Sequence, residues 1–202
     1  MAKPSHRETI LTEGLKVVHA QGYAGASVRD IVQAAGVPQG SFTNHFASKE
    51  AFGLEIIERY FVGTQENLRA TLRNDDLPPL QRFEAFLDVN INLLKEREMQ
   101  NGCLFGNFAI ETSDHSEAMR LRLVAIFKEI ETSIAYCLKA ALAAGELAAD
   151  TDCDDMAAFM VASLQGAQLM VKVQKNVAAM ERLKHVFLAL LRPNAGPLPP
   201  SL

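Results

Sequence analysis

The chain has few cysteines: Cys103, Cys137 and Cys153, an odd number with no close pair. That spacing excludes a disulfide framework or a thiolate zinc site as the organising device, and it fits a reducing cytoplasm. Proline is missing from 39 to 77 and again from 80 to 192. Proline removes a backbone donor and clashes with the preceding helical turn, so its absence over these lengths leaves room for long uninterrupted helices. Apolar runs of about 18 residues are missing too, which argues against a secretory leader or a membrane span. The longest apolar stretch, 157 to 173, is interrupted by Ser163, Gln165, Gln168 and, at its edge, Lys172. Strand-type alternation is scarce. No Ser-His-Asp pattern, glycine-rich phosphate loop or metal-ligand spacing appears, so no enzyme, cofactor or metal is expected.

Against these absences stand 202 residues, 49% of them hydrophobic and 22% charged, enough to bury a substantial core in one large or two small domains. Apolar residues recur at spacings of three and four, the period of a helix with one buried face. The chain therefore reads as all-α. Pro78 and Pro79 punctuate one boundary, and the segment 193–202, with four prolines, cannot continue a helix and is expected to fray.

The first helix is expected from His6 to Gln21, with Leu11, Leu15 and Val18 on one face and Gly22 ending it. Ser27, three residues before Asp30, can cap a short second helix through "VRDIVQAA". Gly36 then supplies a turn, and Pro38 suits the first position of a third helix, Pro38 to His45. Such a helix is about 12 Å long at 1.5 Å per residue, the width of a B-DNA major groove. Two short helices across a glycine turn, braced by a first helix, form a helix-turn-helix. Phe42 and Phe46, four apart, should face inward toward Ile31, Val32 and Val37. Gln39, Ser41, Thr43, Asn44 and His45 are left facing out, and Gly40 lets a phosphate backbone approach. With Ser27, Arg29 and Lys49 these make the candidate DNA-binding residues. A plain helical hairpin with a polar surface is the alternative that spacing alone leaves open.

Charge supports this weakly. The chain carries 20 Lys and Arg against 24 Asp and Glu, a net of −4. In residues 1–50, Lys3, Arg7, Lys16, Arg29 and Lys49 stand against Glu8, Glu13, Asp30 and Glu50, a surplus of a single positive charge. The acidic excess lies in the rest. Affinity for DNA would have to rest on a few local phosphate contacts and on doubling by a dimer.

"SVRDIVQAAGVPQGSFTNHFASKEAF" resembles the DNA-binding domain of the TetR family of bacterial one-component repressors, over roughly residues 7 to 60. It carries that family's glycine, aromatic, His-Phe and Ser-Lys-Glu positions and departs from it at Thr43, where a tyrosine is common. The resemblance implies a DNA-binding domain over 1–50, a helical effector-binding and dimerisation domain over 51–192, and a double-stranded DNA operator as partner.

In the second region a long helix from Lys49 to about Arg73 is expected to leave the head and to be able to transmit a shift to it. Leu80 to Lys95 follows, with Leu80, Phe83, Leu87, Asn90 and Leu94 on a stripe. Asn90, one turn beyond Phe86, is either a satisfied edge asparagine or a ligand contact. In "NGCLFGNFAIETSDHSEAMR", Cys103 opens a short helix, where unpaired amide groups favour an anion. Phe105 and Phe108 give bulk, and Asn107 and Glu111 are polar one turn apart. Glu111, Asp114, His115 and Glu117 match no firm metal spacing, while Asp114 with Glu117 suits a capping box for a helix from Glu117 to Ala144. In that helix Cys137 falls on the core side. Cys153, in "DTDCDD", has acidic neighbours that disfavour its thiolate.

The helix expected from Cys153 to Gln174 is apolar nearly all round and rich in small residues, and one from Ala178 to Leu191 follows. A helix with little polar face is usually buried, and a partner subunit is the natural cover. TetR-type proteins dimerise through their last two helices, which points to Phe159, Ser163, Gly166, Met170, Leu183, Phe187 and Leu190 as interface. "GCL" and "SDHSEAMR" further resemble the cysteine-bearing branch that senses reactive electrophiles such as N-ethylmaleimide, quinones and aldehydes. There the matching positions are Cys103 and Lys172. The candidate effector residues are thus Phe86, Asn90, Cys103, Phe105, Asn107, Phe108, Glu111, Tyr136 and Lys172, used either covalently at Cys103 or by reversible contact with Asn90, Asn107, Glu111 or Tyr136. A family member that needs no effector, architectural or protein-binding, is the competing reading.

Overall fold

In the computed structural model, residues 6–191 are described, and among them all regular structure is helical. The tail expected to fray, 193–202, lies outside the described residues. The helices are α1 (His6–Gln21), α2 (Val28–Ala34), α3 (Gly40–His45), α4 (Lys49–Ala70), α5 (Pro79–Glu96), α6 (Leu104–Thr112), α7 (Glu117–Ala143), α8 (Cys153–Gln174) and α9 (Ala178–Leu191).

Packing groups these elements into two compact units. The first holds the chain up to Gly63 together with Cys103–Val124; the second holds Thr64–Gly102 and the chain from Ala125 onward. The helix-turn-helix thus shares its core with α6 and the start of α7, a grouping that sequence order conceals.

In the first unit, Ile10, Leu11 and Val18 of α1 are buried with Ile31, Phe42, Phe46 and Phe52. Phe42, Phe46 and Phe52 form a cluster with ring centroids 5.1–5.3 Å apart. Gly14 makes this possible: a Cβ there would lie 2.6 Å from the Phe52 ring. Phe105 of α6 meets Tyr60 edge-on at 5.0 Å, and Phe108 meets Tyr23 at 5.1 Å.

In the second unit, Phe83 of α5 stacks on Phe187 of α9 at 5.2 Å. Arg82, 7% exposed, is held by the Leu77 carbonyl at 2.6 Å and the Asp75 carboxylate, so its buried charge is paired as burial demands. Asp152 caps α8, its carboxylate accepting from the Asp154 and Asp155 amides at 3.1 and 3.0 Å.

Three expectations shift. The third helix begins at Gly40, because the Ser41 and Phe42 amides donate to the Pro38 and Gln39 carbonyls in three-residue turns before the α-helix closes; α3 is therefore about 9 Å long at 1.5 Å per residue. Helix α4 stops at Ala70, where the following turn takes over. The cap of α7 is Ser116, whose hydroxyl accepts from the Met119 amide at 3.2 Å, and not Asp114. By length and composition α8 could cross a membrane, with 22 residues, mean hydropathy 1.3 and 22% of that window buried. Its polar residues break the apolar run without lowering the average enough.

Candidate functional site

The helix-turn-helix is built by local chemistry. Ser27 accepts from the Asp30 amide at 3.1 Å while Asp30 accepts from the Ser27 amide at 3.0 Å, a reciprocal capping box. That hydrogen bonding to Ser27 holds the Asp30 carboxyl below its ordinary value of 3.8. Gly36, with φ +63, turns the chain between α2 and α3 in a conformation that costs side-chain-bearing residues.

On α3 and its approach, Gln39, Gly40, Thr43, Asn44 and His45 are exposed. Ser41 is not: it is 8% exposed, with its hydroxyl 3.4 Å from His6 Nδ1, because position 41 adjoins Phe42 on the side turned toward α1. The outward set is therefore shorter by that residue. Arg29 is exposed on α2. Lys49 also departs from expectation. Its ammonium lies 4.7 Å over the Tyr23 ring and 3.4 Å from the Ala24 carbonyl, and burial lowers its pKa against a raising effect from Glu111. It serves the α1–α2 loop before it can serve a phosphate.

Glu111 acts at that same loop, a role sequence reading missed. Its carboxylate accepts from the Ala24 amide at 2.7 Å. Gly22, φ +81, leaves room for it, since a Cβ there would fall 2.7 Å from Glu111 Oε1. Glu111 was expected among the effector residues; its carboxylate is instead committed to the DNA-binding head. Two glycines and a tyrosine in "QGYAGAS" hinted at a shaped loop, but nothing local named its partner 87 residues away.

The other candidate effector residues divide between the units. Cys103, half-buried, is the N-cap residue of α6 in the first unit, with Asn107 half-buried and Phe105 and Phe108 buried. In the second unit, Phe86 is buried and Asn90 donates to its carbonyl at 2.8 Å. Lys172 is half-buried on α8, its stem 3.5 Å from where a Gly102 Cβ would stand. Tyr136 is 40% exposed, donating to Asp75 at 2.9 Å, which makes it part of the Asp75–Arg82 network rather than a cavity wall. Of the other thiols, Cys137 is fully buried and pushed up to about 12 by desolvation, and burial likewise raises Cys153.

Exposed apolar residues gather on α8 and α9, though Val62, Ile110, Leu121 and Val124 are exposed elsewhere. Phe159, Leu169, Met170, Val173 and Leu190 are 42–67% exposed, Gly166 is exposed, and Ser163 and Leu183 are half-buried. Phe159, Met170, Leu183, Val186 and Leu190 line an open groove of about 440 Å³. Phe187, expected in an interface, also lines this groove while only 1% exposed.

A short capped helix-turn-helix with an exposed polar second helix, followed by a larger helical region, defines a DNA-binding transcriptional regulator. Residues 10–56 match the family described as bacterial regulatory proteins, tetR family, and residues 79–187 match the tetracyclin repressor-like C-terminal domain. The chain is 36% identical over 192 residues, 95% of each protein, to the HTH-type transcriptional repressor DhaR of Mycobacterium sp. (strain GP1). It is 29% identical to the HTH-type transcriptional repressor NemR of Escherichia coli K12, across 89% of this chain and 91% of that one. The crystal structure of a regulatory protein TetR from Rhodobacter sphaeroides superposes with a TM-score of 0.87 at 27% identity, covering 92% of this chain and 98% of that one. The chain belongs to the TetR family of transcriptional regulators, and the relatives named are transcriptional repressors or regulators.

Proposed function

We propose that this protein is a cytoplasmic, non-enzymatic repressor that binds a near-palindromic operator as a homodimer and releases it on meeting a small molecule or electrophile. The observation that carries this reading is the exposed polar face of α3. A six-residue helix with Gln39, Thr43, Asn44 and His45 in solvent and two buried phenylalanines beneath can enter a major groove, with the two asparagine and glutamine amides suited to bidentate contact with adenine. Arg29 adds a phosphate contact. The feeble surplus of positive charge in residues 1–50 makes pairing of two heads necessary for useful affinity, and the apolar surface of α8 and α9 supplies the seat for the second copy.

Release involves α6. Cys103 sits at its start and Glu111 at its end holds the α1–α2 loop of the head, so a change at one end of α6 has a polar connection to the DNA-binding unit. Covalent modification at Cys103 is the reading that the electrophile-sensing resemblance supports. Reversible occupation beside Asn90 or Asn107 is its alternative. Operator release by N-ethylmaleimide, compared between the parent and Cys103→Ser, separates them: equal release in both removes Cys103 as the sensor, and release in neither removes the electrophile reading.

A further inference from the structure

The α1–α2 loop is held at one peptide from two sides. The Ala24 amide donates to Glu111 Oε2 of α6 at 2.7 Å, and the Ala24 carbonyl accepts from the Lys49 ammonium of α4 at 3.4 Å. Tyr23, the residue before, takes Lys49 over its ring at 4.7 Å and meets Phe108 of α6 at 5.1 Å. Gly22 completes the fit. A Cβ there would stand 2.7 and 3.0 Å from the two Glu111 carboxylate oxygens, so a side chain at 22 would displace the carboxylate. All of these groups belong to the first packing unit.

The hydrogen bond to Ala24 needs no charge, since a glutamine at 111 would present the same kind of acceptor. What the carboxylate adds is a negative charge beside Lys49. Burial lowers the Lys49 pKa and Glu111 raises it, as an opposite charge favouring the ammonium does. The next acid in the chain, Glu50, is engaged by the Ser116 hydroxyl.

This matters because the head has few cations to offer. Arg7 and Lys16 are ion-paired with Glu55 and Glu13. Among the described Lys and Arg residues up to position 50, that leaves exposed Arg29 and half-buried Lys49 for a phosphate. Lys49 opens α4 four residues beyond His45, the last residue of α3, so it stands close in sequence to the exposed polar helix. Whether it is docked or free therefore decides a large part of the electrostatic attraction to DNA.

We propose that Glu111 governs the charge of the head: its carboxylate keeps Lys49 docked on the Ala24 carbonyl and the Tyr23 ring, and so limits attraction to DNA of any sequence. A head that holds back this cation binds arbitrary duplexes weakly and depends more on base contacts made by α3. The inference rests on DNA binding and is independent of any effector.

The test is the salt dependence of binding to a duplex of random sequence, for the parent, Glu111→Gln, Lys49→Met and the double variant. Glu111→Gln keeps an acceptor for Ala24 and removes the charge. Its plot of log affinity against log salt should steepen by about 0.9 for each head that gains one phosphate contact. Lys49→Met should leave the parent slope nearly unchanged, and in that background Glu111→Gln should add nothing. An unchanged slope in Glu111→Gln overturns the proposal. A steepening that persists without Lys49 is the bulk effect of one acid fewer and overturns it too, as does a parent slope that already falls by about 0.9 per head in Lys49→Met. Amide exchange read by NMR covers the case of a variant that fails to fold: Ala24 should be protected in the parent, and rapid exchange there removes the clamp. Absence of any duplex binding by the parent overturns the DNA-binding reading and this inference with it.

Discussion

The outer sides of α3 and of α8 with α9 are both exposed, and they differ in kind. The outer side of α3 is short and polar, with Gln39, Thr43, Asn44 and His45 exposed. The outer side of α8 and α9 is long and apolar, with Phe159, Leu169, Met170, Val173 and Leu190 exposed. Water solvates the first at no cost, so its residue types are available to read base edges. Water does not solvate the second well, and an apolar patch of this kind marks an interaction site. The proposed partners follow that chemistry: nucleic acid for one face, a second copy of the same helices for the other.

The comparison breaks most severely at the apolar face. Gly166→Arg or Met170→Asp places a charge where a second copy should seat, and removing such a charge from water costs several kcal/mol. Light scattering should report monomers or aggregates, and operator affinity should fall by at least about a hundredfold, or ~2.7 kcal/mol. A well-folded, fully active monomer would contradict this. Phe187→Ala sharpens the boundary of that face. Because Phe187 stacks on Phe83 and is 1% exposed, the variant should lose about 3–5 kcal/mol of folding stability, seen in thermal unfolding. If dimerisation alone weakens and stability holds, Phe187 is an interface residue after all.

At the polar face, Thr43→Ala with Asn44→Ala should cost about 1–3 kcal/mol per lost base contact and relax sequence discrimination. Unchanged discrimination would sink the assignment of α3. The smallest effect belongs to the cap beneath it. Ser27→Ala should destabilise the head by about 1 kcal/mol. Asp30 also gives a pH signature. Its folded-state pKa is depressed below 3.8 by Ser27, so its contribution is complete above that value and is lost as pH falls through the folded-state pKa. In Ser27→Ala that acid-side loss should flatten.

Most of the fold was legible because helix signals are local. The bounds of α1, α8 and α9 follow from periodicity and caps, and Ser27 with Asp30 announced the capping box that the structure contains. What the sequence hid was long-range. Nothing near Glu111 shows that its carboxylate meets the Ala24 amide, and nothing near Lys49 shows that its ammonium settles over Tyr23. Ser41 is buried for a related reason: it lies at the edge of a helical face, where one residue of rotation decides between solvent and core. The exposure of Gln39, Thr43, Asn44 and His45 was therefore readable from local spacing, while the candidate effector residues were not readable as a group, since they fall in both packing units.

The central claim, that two copies present their α3 helices to one operator, is tested most directly by selecting bound sequences from a pool of random duplexes and footprinting the winner. The account predicts a near-palindromic consensus with half-sites about 34–36 Å apart, or a multiple of that, protected by two protomers. Absence of sequence enrichment, or a single unpaired half-site bound by one protomer, would contradict it.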